Sequence, residues 1–283
     1  MMIRFIHEQM LSEYLKLSRF FNMGLTAVAP VLGALSMWGN SEIPPINLLI
    51  LFIIGCFSHI YGFVLNDIID IKIDKLSKEL KARPLVGKTI TRKKAAYFAI
   101  SCMIVALLLS AFFFKDMMSY IVLLSLLIFA YILATIYDIA SKKYPGMDVF
   151  VVSAIFFLIL FGAASVSIEK LLSTPLAWIV ALIGSIQVLF MNMINGAIKD
   201  IDHDAKGLAN TLAIRLGAMT KGGRLTLPTS FKAIGYLVEI VRSVLIFLPF
   251  ILLSLAYELW QIAVLLILTM LTFFSIYKLF SIH

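Results

Sequence analysis

The sequence predicts an all-α fold, a polytopic membrane helical bundle, and three observations carry that prediction. Hydrophobic residues make up 61% of the 283-residue chain and charged residues 14%, against about 45–50% and about 25% in soluble domains. Mean hydropathy is correspondingly high, at +1.01. The apolar residues fall in runs of about 20, enough for a helix to cross about 30 Å of hydrocarbon, and lack the alternation of membrane barrel strands.

Eight clear spans can be marked, at 21–38, 46–66, 95–114, 118–137, 147–168, 175–198, 233–256 and 259–281. Ahead of them, residues 1–20 mix Glu8, Glu13, Lys16 and Arg19 with apolar positions. That mixture reads as an amphipathic surface helix rather than a cleavable signal. Arg19 and Asn22 stand at the edge of span one. Pro30 should kink that span, and Gly24 and Gly33 should permit close helix approach.

Span two contains His59 and ends in N-D-I-I-D-I-K-I-D, residues 66–74. On a helix, Asn66, Asp70 and Asp74 share one face at i, i+4 and i+8. His59 lies two turns earlier, near the same face. The basic loop up to Lys94 turns at Arg83-Pro84 and Gly87 and offers Thr91 as the N-cap of the next helix. It is longer than helix connections usually are, which favours a functional cap.

Spans three and five show no polar constellation and read as packing helices. Span four ends at Tyr137-Asp138, with Lys142 and Lys143 just beyond. Span six ends in a second acidic cluster, N-G-A-I-K-D-I-D-H-D, in which Asp200 and Asp204 are again i, i+4 and Asp202 is off that face. Asn195 closes this apolar run as Asn66 closes the earlier one. Four spans separate the two clusters, a weak internal repeat of helix pairs.

The Gly-rich stretch of 207–232 reads as mobile. Span seven carries Glu239 and Arg242 at i, i+3, a structural ion pair, and Pro249, which should kink it. Cys56 and Cys102 lie within spans without C-x-x-C spacing and read as buried small residues.

Lysine and arginine placement orients the bundle. Of 24 such residues, 21 belong to the N-terminus, the 67–94, 138–146 and 199–232 loops, and the C-terminus. By the positive-inside rule these segments are cytoplasmic, in an integral protein of the cell membrane surrounded by membrane lipids. The net charge of +8 is concentrated on that face. Nucleic acid is excluded as a partner, because the basic residues lack interleaved aromatics.

Both acidic clusters close even-numbered spans, so they emerge on one side at like depth. Their oxygen donors suit hard cations, and Mg²⁺ favours one or two carboxylates plus substrate phosphates. Facing clusters imply a pair of Mg²⁺ ions gripping a diphosphate, with arginine and lysine neutralising the leaving group. Lys142 becomes a phosphate ligand in that setting. An apolar bundle around such a site suits a hydrocarbon tail, hence an allylic, isoprenyl diphosphate ionised away from water. The ring of Tyr137 would stabilise the cation. His59, Asn195 and Lys199 stand beside the clusters as substrate-binding candidates.

The motifs N-D-x-x-D-x-x-x-D at 66–74, R-P-L-x-x-G at 83–87 and K-D-x-x-x-D…T-L…L-G at 199–217 resemble the UbiA superfamily of intramembrane prenyltransferases. R-x-x-N at 19–22 and the Tyr137…Lys142 segment fit the same pattern. The resemblance covers about residues 15–217. It implies a single prenyltransferase domain over 1–283, with a central cavity opening near the cytoplasmic side. The 67–94, 138–146 and 199–232 loops would form its cap.

It also implies two Mg²⁺ ions, with Asn66, Asp67, Asp70 and Asp74 as the first metal set and Asp200 and Asp204 as the second. Arg83, Lys142 and Tyr137 would contact diphosphate or prenyl group, and Arg19 and Asn22 would form the entry motif. The acceptor would be an aromatic or lipid molecule. Two departures stand out: the family usually has nine spans, so one is missing at the C-terminus or hidden in 208–232, and Ala197 stands where many members carry an acid.

Two other readings compete. A CDP-alcohol phosphotransferase would need D-G-x-x-A-R followed by G-x-x-x-D-x-x-x-D, and neither is present. A cation transporter with intramembrane carboxylates would place acids at the bilayer midplane, whereas these lie at span ends beside Arg83 and Lys142.

Overall fold

The computed structural model describes residues 2–37, 39, 42–76, 79–221, 224–253 and 257–281. An N-terminal helix α1 (Met2–Leu17) leads through a single 3₁₀ turn at Phe20–Asn22 into two short helices, α2 (Met23–Ala27) and α3 (Ala29–Leu35). The expected first span at 21–38 is therefore broken rather than kinked, and Trp38 at its end lies outside the described residues. Pro30 occupies the first turn of α3, the one helical position where its missing N–H costs nothing.

Glycines on the neighbouring helices seat this broken segment. A Cβ at Gly162 would overlap the Pro30 backbone, one at Gly55 the Ala27 backbone, and one at Gly33 the Ile159 carbonyl. Gly24 meets nothing within reach and faces the cavity described below.

The main helices follow: α4 (Pro45–Asp74), α5 (Arg92–Ser110), α6 (Met117–Ala140), α7 (Asp148–Val166), the short α8 (Ile168–Leu171) and α9 (Pro175–Phe190). Proline starts α4 and α9. Thr91 caps α5 as expected, accepting from the Lys94 N–H at 3.3 Å. Asp116 and Ser119 form a capping box at α6. At 30 residues, α4 is about 45 Å long, longer than the hydrocarbon layer. Its last turns, which carry Asn66–Asp74, remain helical throughout.

A wide π-type segment, Met191–Gly196, joins α9 to α10 (Ala197–Lys206). Beyond it come α11 (Leu212–Arg215), the antiparallel strands β1 (Met219–Lys221) and β2 (Arg224–Thr226), then α12 (Thr229–Leu252) and α13 (Leu259–Ser281). Met219 pairs with Thr226 and Lys221 with Arg224. The described residues of 208–232 hold no ninth span: they form a short helix, two paired strands and the start of α12. Gly222-Gly223, read as the mobile tip, lie outside the described residues, as do residues 254–256 at the end of the seventh expected span.

Among the described residues, seven helical stretches are long and apolar enough to cross a membrane, where the sequence marks eight. The difference is the broken first span. Helix α7 is central, packing against α3, α6 and α9, with half its apolar window buried. Large exposed side chains such as Leu108, Ile251 and Met270 cover the outside, a surface only lipid can solvate. Cys102 is buried and Cys56 half-buried, and both are free.

The interior divides into two apolar clusters. One joins α3 to α7 and the start of α9 through residues such as Leu51, Ile68, Leu127, Phe161 and Ala181. The other gathers Phe190, Ile194, Ile201, Phe231, Ile276 and Phe280 around α10, α12 and α13. Glu239, 1% exposed, takes two bonds from Arg242, whose guanidinium also donates to Gln187 of α9. The expected ion pair thus pins α12 to α9.

Candidate active site

One cavity of about 710 Å³ opens between the N-terminal turn, α4, α6, α7, the π-type segment, α10 and α11. Asn66, Asp70 and Asp74 enter it from α4, and Asp200 and Asp204 from α10. The two clusters, 126 residues apart from Asp74 to Asp200 in the chain, do meet at one site. Helical periodicity delivers the first, because α4 continues unbroken through Asp74.

Basic side chains tie the carboxylates down. Arg19 donates to Asp67 at 2.5 Å, and Arg83 donates to Asp67 at 3.1 Å and Asp74 at 2.7 Å. Arg19 reaches across from a left-handed backbone (φ 48°, ψ 43°), a conformation that costs a non-glycine residue about 1–2 kcal/mol. Lys142 grips both oxygens of Asp204 at 2.7 and 2.9 Å. Burial of Lys142 works against its charge, but Asp204 outweighs it and raises its pKa above the ordinary lysine value.

The loops beside the cavity are laced together. Asn210 donates through its backbone to the Lys142 carbonyl at 2.9 Å and accepts from Arg215 at 3.1 Å. Thr89 of the first cap loop donates to Glu13 of α1 at 2.5 Å. Lys16 and Thr89 together hold the Glu13 carboxyl below the usual carboxylate range.

Every residue singled out from the sequence lines the cavity except Asp67 and Asn195: Arg19, Asn22, His59, Asn66, Asp70, Asp74, Arg83, Tyr137, Lys142, Lys199, Asp200 and Asp204 all do. Asp67 is 4% exposed and sits behind the wall, where it holds Arg19 and Arg83. Asn195 faces outward, exposed, and Asn192 lines the cavity in its place. The wide turn at Met191–Gly196 shifts the helical face by part of a turn, which a 3.6-residue period does not anticipate.

The sequence reading missed Asp138 and Asp148. Asp138 is 5% exposed; its Oδ1 accepts from Asn66 Nδ2 at 3.4 Å and its Oδ2 has no partner. The signal was available, because Asp138 is an acid closing an apolar run, as Asp70 and Asp200 are. Asp148 looked like an ordinary acid at a helix start. It makes span five a wall of the site, with Val151, Ala154 and Leu158, so that span does more than pack.

Deeper in, His59 is 1% exposed beside the Ser18 and Arg19 backbone. Phe63 lies over it at 4.2 Å and Arg19 over Phe63 at 4.7 Å. Beside them Ser58 pairs with Tyr131 at 2.9 Å and Tyr61 with Thr135 at 2.6 Å.

Among the described residues, no three His, Cys, Asp or Glu side chains converge as a ready metal cluster. The donors present nevertheless fit a hard divalent cation. They are all oxygens, and Asp138 Oδ2 is a buried carboxyl oxygen with no hydrogen-bond partner among the described residues. Six carboxylates line the cavity, Asp70, Asp74, Asp138, Asp148, Asp200 and Asp204, against four cations, Arg19, Arg83, Lys142 and Lys199. Ionised, the wall has room for added positive charge.

A protein named digeranylgeranylglyceryl phosphate synthase from Pyrococcus horikoshii is 28% identical over 82% of this chain and 83% of its own. One of the same name from Methanocaldococcus jannaschii is 35% identical, over 36% of this chain and 35% of its own. The fold matches that of a UbiA homologue from Archaeoglobus fulgidus solved with DMAPP and Mg²⁺, with a TM-score of 0.71, 16% identity, and 95% and 87% of the two chains covered. The sequence profile of the UbiA prenyltransferase family runs through residues 27–282, nearly the whole chain, and the protein belongs to that family.

Proposed function

We propose that this protein transfers a prenyl group from an isoprenyl diphosphate to a hydroxyl of a glycerol-phosphate lipid, within the membrane and with Mg²⁺. The observation that carries the reading is the meeting of the α4 and α10 acidic clusters across one cavity whose rim is cationic and whose α7 wall is apolar. The A. fulgidus homologue's bound DMAPP and Mg²⁺ support the donor and the metal. The names of the two curated relatives support a lipid acceptor over an aromatic one.

In this reading Asn66 and Asp70 would hold one ion and Asp200 and Asp204 a second. Bound there, the ions supply positive charge that binds the diphosphate and stabilises it as a leaving group. Arg83, Lys142, Arg19 and Lys199 share the remaining charge. Arg83 is held at a fixed angle by Asp74 and Lys142 by Asp204, so both are oriented before substrate arrives. The allylic C–O bond breaks, its electron pair leaving with the diphosphate. The acceptor oxygen then bonds to C1 as its proton passes to an oxygen of the released diphosphate. Tyr137 stabilises the cation meanwhile, and the α7 side chains keep water out. The site loops and the N-terminus face the cytoplasm, on the strength of their lysines and arginines.

The test is a screen of labelled dimethylallyl, geranyl, farnesyl and geranylgeranyl diphosphates against glycerol-phosphate lipids and aromatic quinone precursors in liposomes. Prenylation is expected with a lipid acceptor, only with Mg²⁺, and Asp70→Ala or Asp200→Ala should lower it by about 10³-fold or more. Wild-type turnover in either variant would sink the reading. Transfer to aromatic acceptors alone would replace the lipid. Metal flux in proteoliposomes without diphosphate would favour a transporter instead.

A further inference from the structure

Most of the buried carboxylates around the cavity already have a basic partner. Asp67 has Arg19 and Arg83, Asp74 has Arg83, and Asp204 has Lys142. Asp70 and Asp138 differ. Asp70 accepts a side-chain bond from the neutral amide of Asn66 alone, at 3.3 Å, and Asp138 accepts from the same Nδ2 atom at 3.4 Å. Its other oxygen, Oδ2, is buried with no partner. Both residues are more than nine-tenths buried, at 8% and 5% exposed, and both line the cavity.

Three side chains therefore converge on one point: two carboxylates that make no ion pair among the described residues, from α4 and α6, and an amide between them. An asparagine amide can be turned over with its heavy atoms in place, carrying Oδ1 to where Nδ2 stands. The point then has three oxygen donors and two negative charges. That is the ligand count Mg²⁺ takes from protein when phosphates supply the rest. Asp67 and Asp74 are already engaged by Arg19 and Arg83, as Asp204 is by Lys142, whereas Asp70 and Asp138 have no ion pair to exchange for a metal.

We propose that Asp138 is a metal ligand in this protein, completing with Asp70 and Asn66 the site of the first divalent cation, while Asp67 and Asp74 serve to hold arginines. The proposal rests on the prenyl-transfer reading only for the identity of the cation; its geometry stands apart from the donor and the acceptor. It also explains why a carboxylate is tolerated at 138 with one oxygen unsatisfied. Without a cation it is an uncompensated buried charge.

The experiment uses purified full-length protein in detergent and Mn²⁺ as the probe, with no donor or acceptor added. Binding is followed by calorimetry or paramagnetic resonance, and thermal midpoints are taken with and without metal. Asp138→Asn should weaken one class of Mn²⁺ site by tenfold or more on the order of a lost ligand. It should also raise the metal-free midpoint, because a buried unpaired charge is gone, and shrink the rise that Mn²⁺ produces. Asp67→Asn should leave Mn²⁺ affinity within about threefold of wild type.

Wild-type Mn²⁺ affinity in Asp138→Asn overturns the proposal. So does a lower metal-free midpoint with an unchanged Mn²⁺ shift, which is the signature of a hydrogen bond that only supports the fold. Failure of the prenyltransfer reading is a separate event, seen as wild-type protein that binds Mn²⁺ and transfers no prenyl group. That result would leave the metal site standing.

Discussion

Arg83 touches two aspartates of one helix, Asp67 and Asp74, seven residues apart. It thereby fixes the cap loop to α4 and aims its remaining donors at the cavity. Both bonds come from one nitrogen, Nη1, which leaves Nη2 and Nε for a substrate; a lysine ammonium making the same two bonds would keep a single N–H. Arg83→Lys is expected to raise the KM for the isoprenyl diphosphate by about tenfold, one lost charge-assisted bond of about 1.5 kcal/mol, with a smaller effect on kcat. Steady-state kinetics over a donor series would check it. Unchanged KM would mean that Arg83 serves the fold alone.

At this scale the sequence was partly legible. Asn66, Asp70, Asp74, Asp200 and Asp204 could be read because a helix converts spacing into a face. The partners could not. Arg19 finds Asp67 across 48 positions and Lys142 finds Asp204 across 62, and such pairings depend on how helices pack. Asp67 illustrates this: the same N-D-x-x-D pattern suits a metal ligand or an arginine's counter-ion, and the packing sets Arg19 and Arg83 against it.

Among the elements, the broken first span is the most informative. Its two pieces lie where Gly55 and Gly162 present bare backbone to Ala27 and Pro30. A proline within an apolar run reads equally as a kink or a new helix start, and what decides is the surface it packs on, not the run itself. Gly162→Ala pushes a methyl group into backbone that cannot turn aside as a side chain would. The expected cost is about 3 kcal/mol or more, the upper range for overpacking, read as a lower thermal midpoint in detergent. Gly24→Ala, with nothing nearby, is the matched control and should leave the midpoint unchanged. The π-type segment makes the same point about register: one wide turn was enough to exchange Asn195 for Asn192.

For the molecule as a whole, the charge pattern makes orientation a concrete expectation. Tyr144, 59% exposed, follows Lys142 on the predicted cytoplasmic side, and Leu172, 81% exposed, lies between α8 and α9 on the other. With Cys56 and Cys102 replaced by alanine, Tyr144→Cys should react with an impermeant thiol reagent only from inside. Leu172→Cys should react only from outside, and reversed labelling would refute the orientation. The helical class, the seven long helices and their order were all legible, because hydrocarbon imposes length and apolarity on whatever crosses it. How those helices enclose a cavity was not, since α7 looks like a plain apolar run yet supplies a wall and Asp148.

The two apolar clusters have a consequence for how the protein holds together. The Asn66–Asp74 turns rest on one and the Asp200–Asp204 turns on the other, with α9 as the shared beam. A ligand bridging the two acidic sets is then a tether between two cooperative units as well as a reactant. Free protein should open its C-terminal α12–α13 pair to limited proteolysis before the rest yields. Adding Mg²⁺ with a non-reactive diphosphate should make the two halves resist digestion and unfold together.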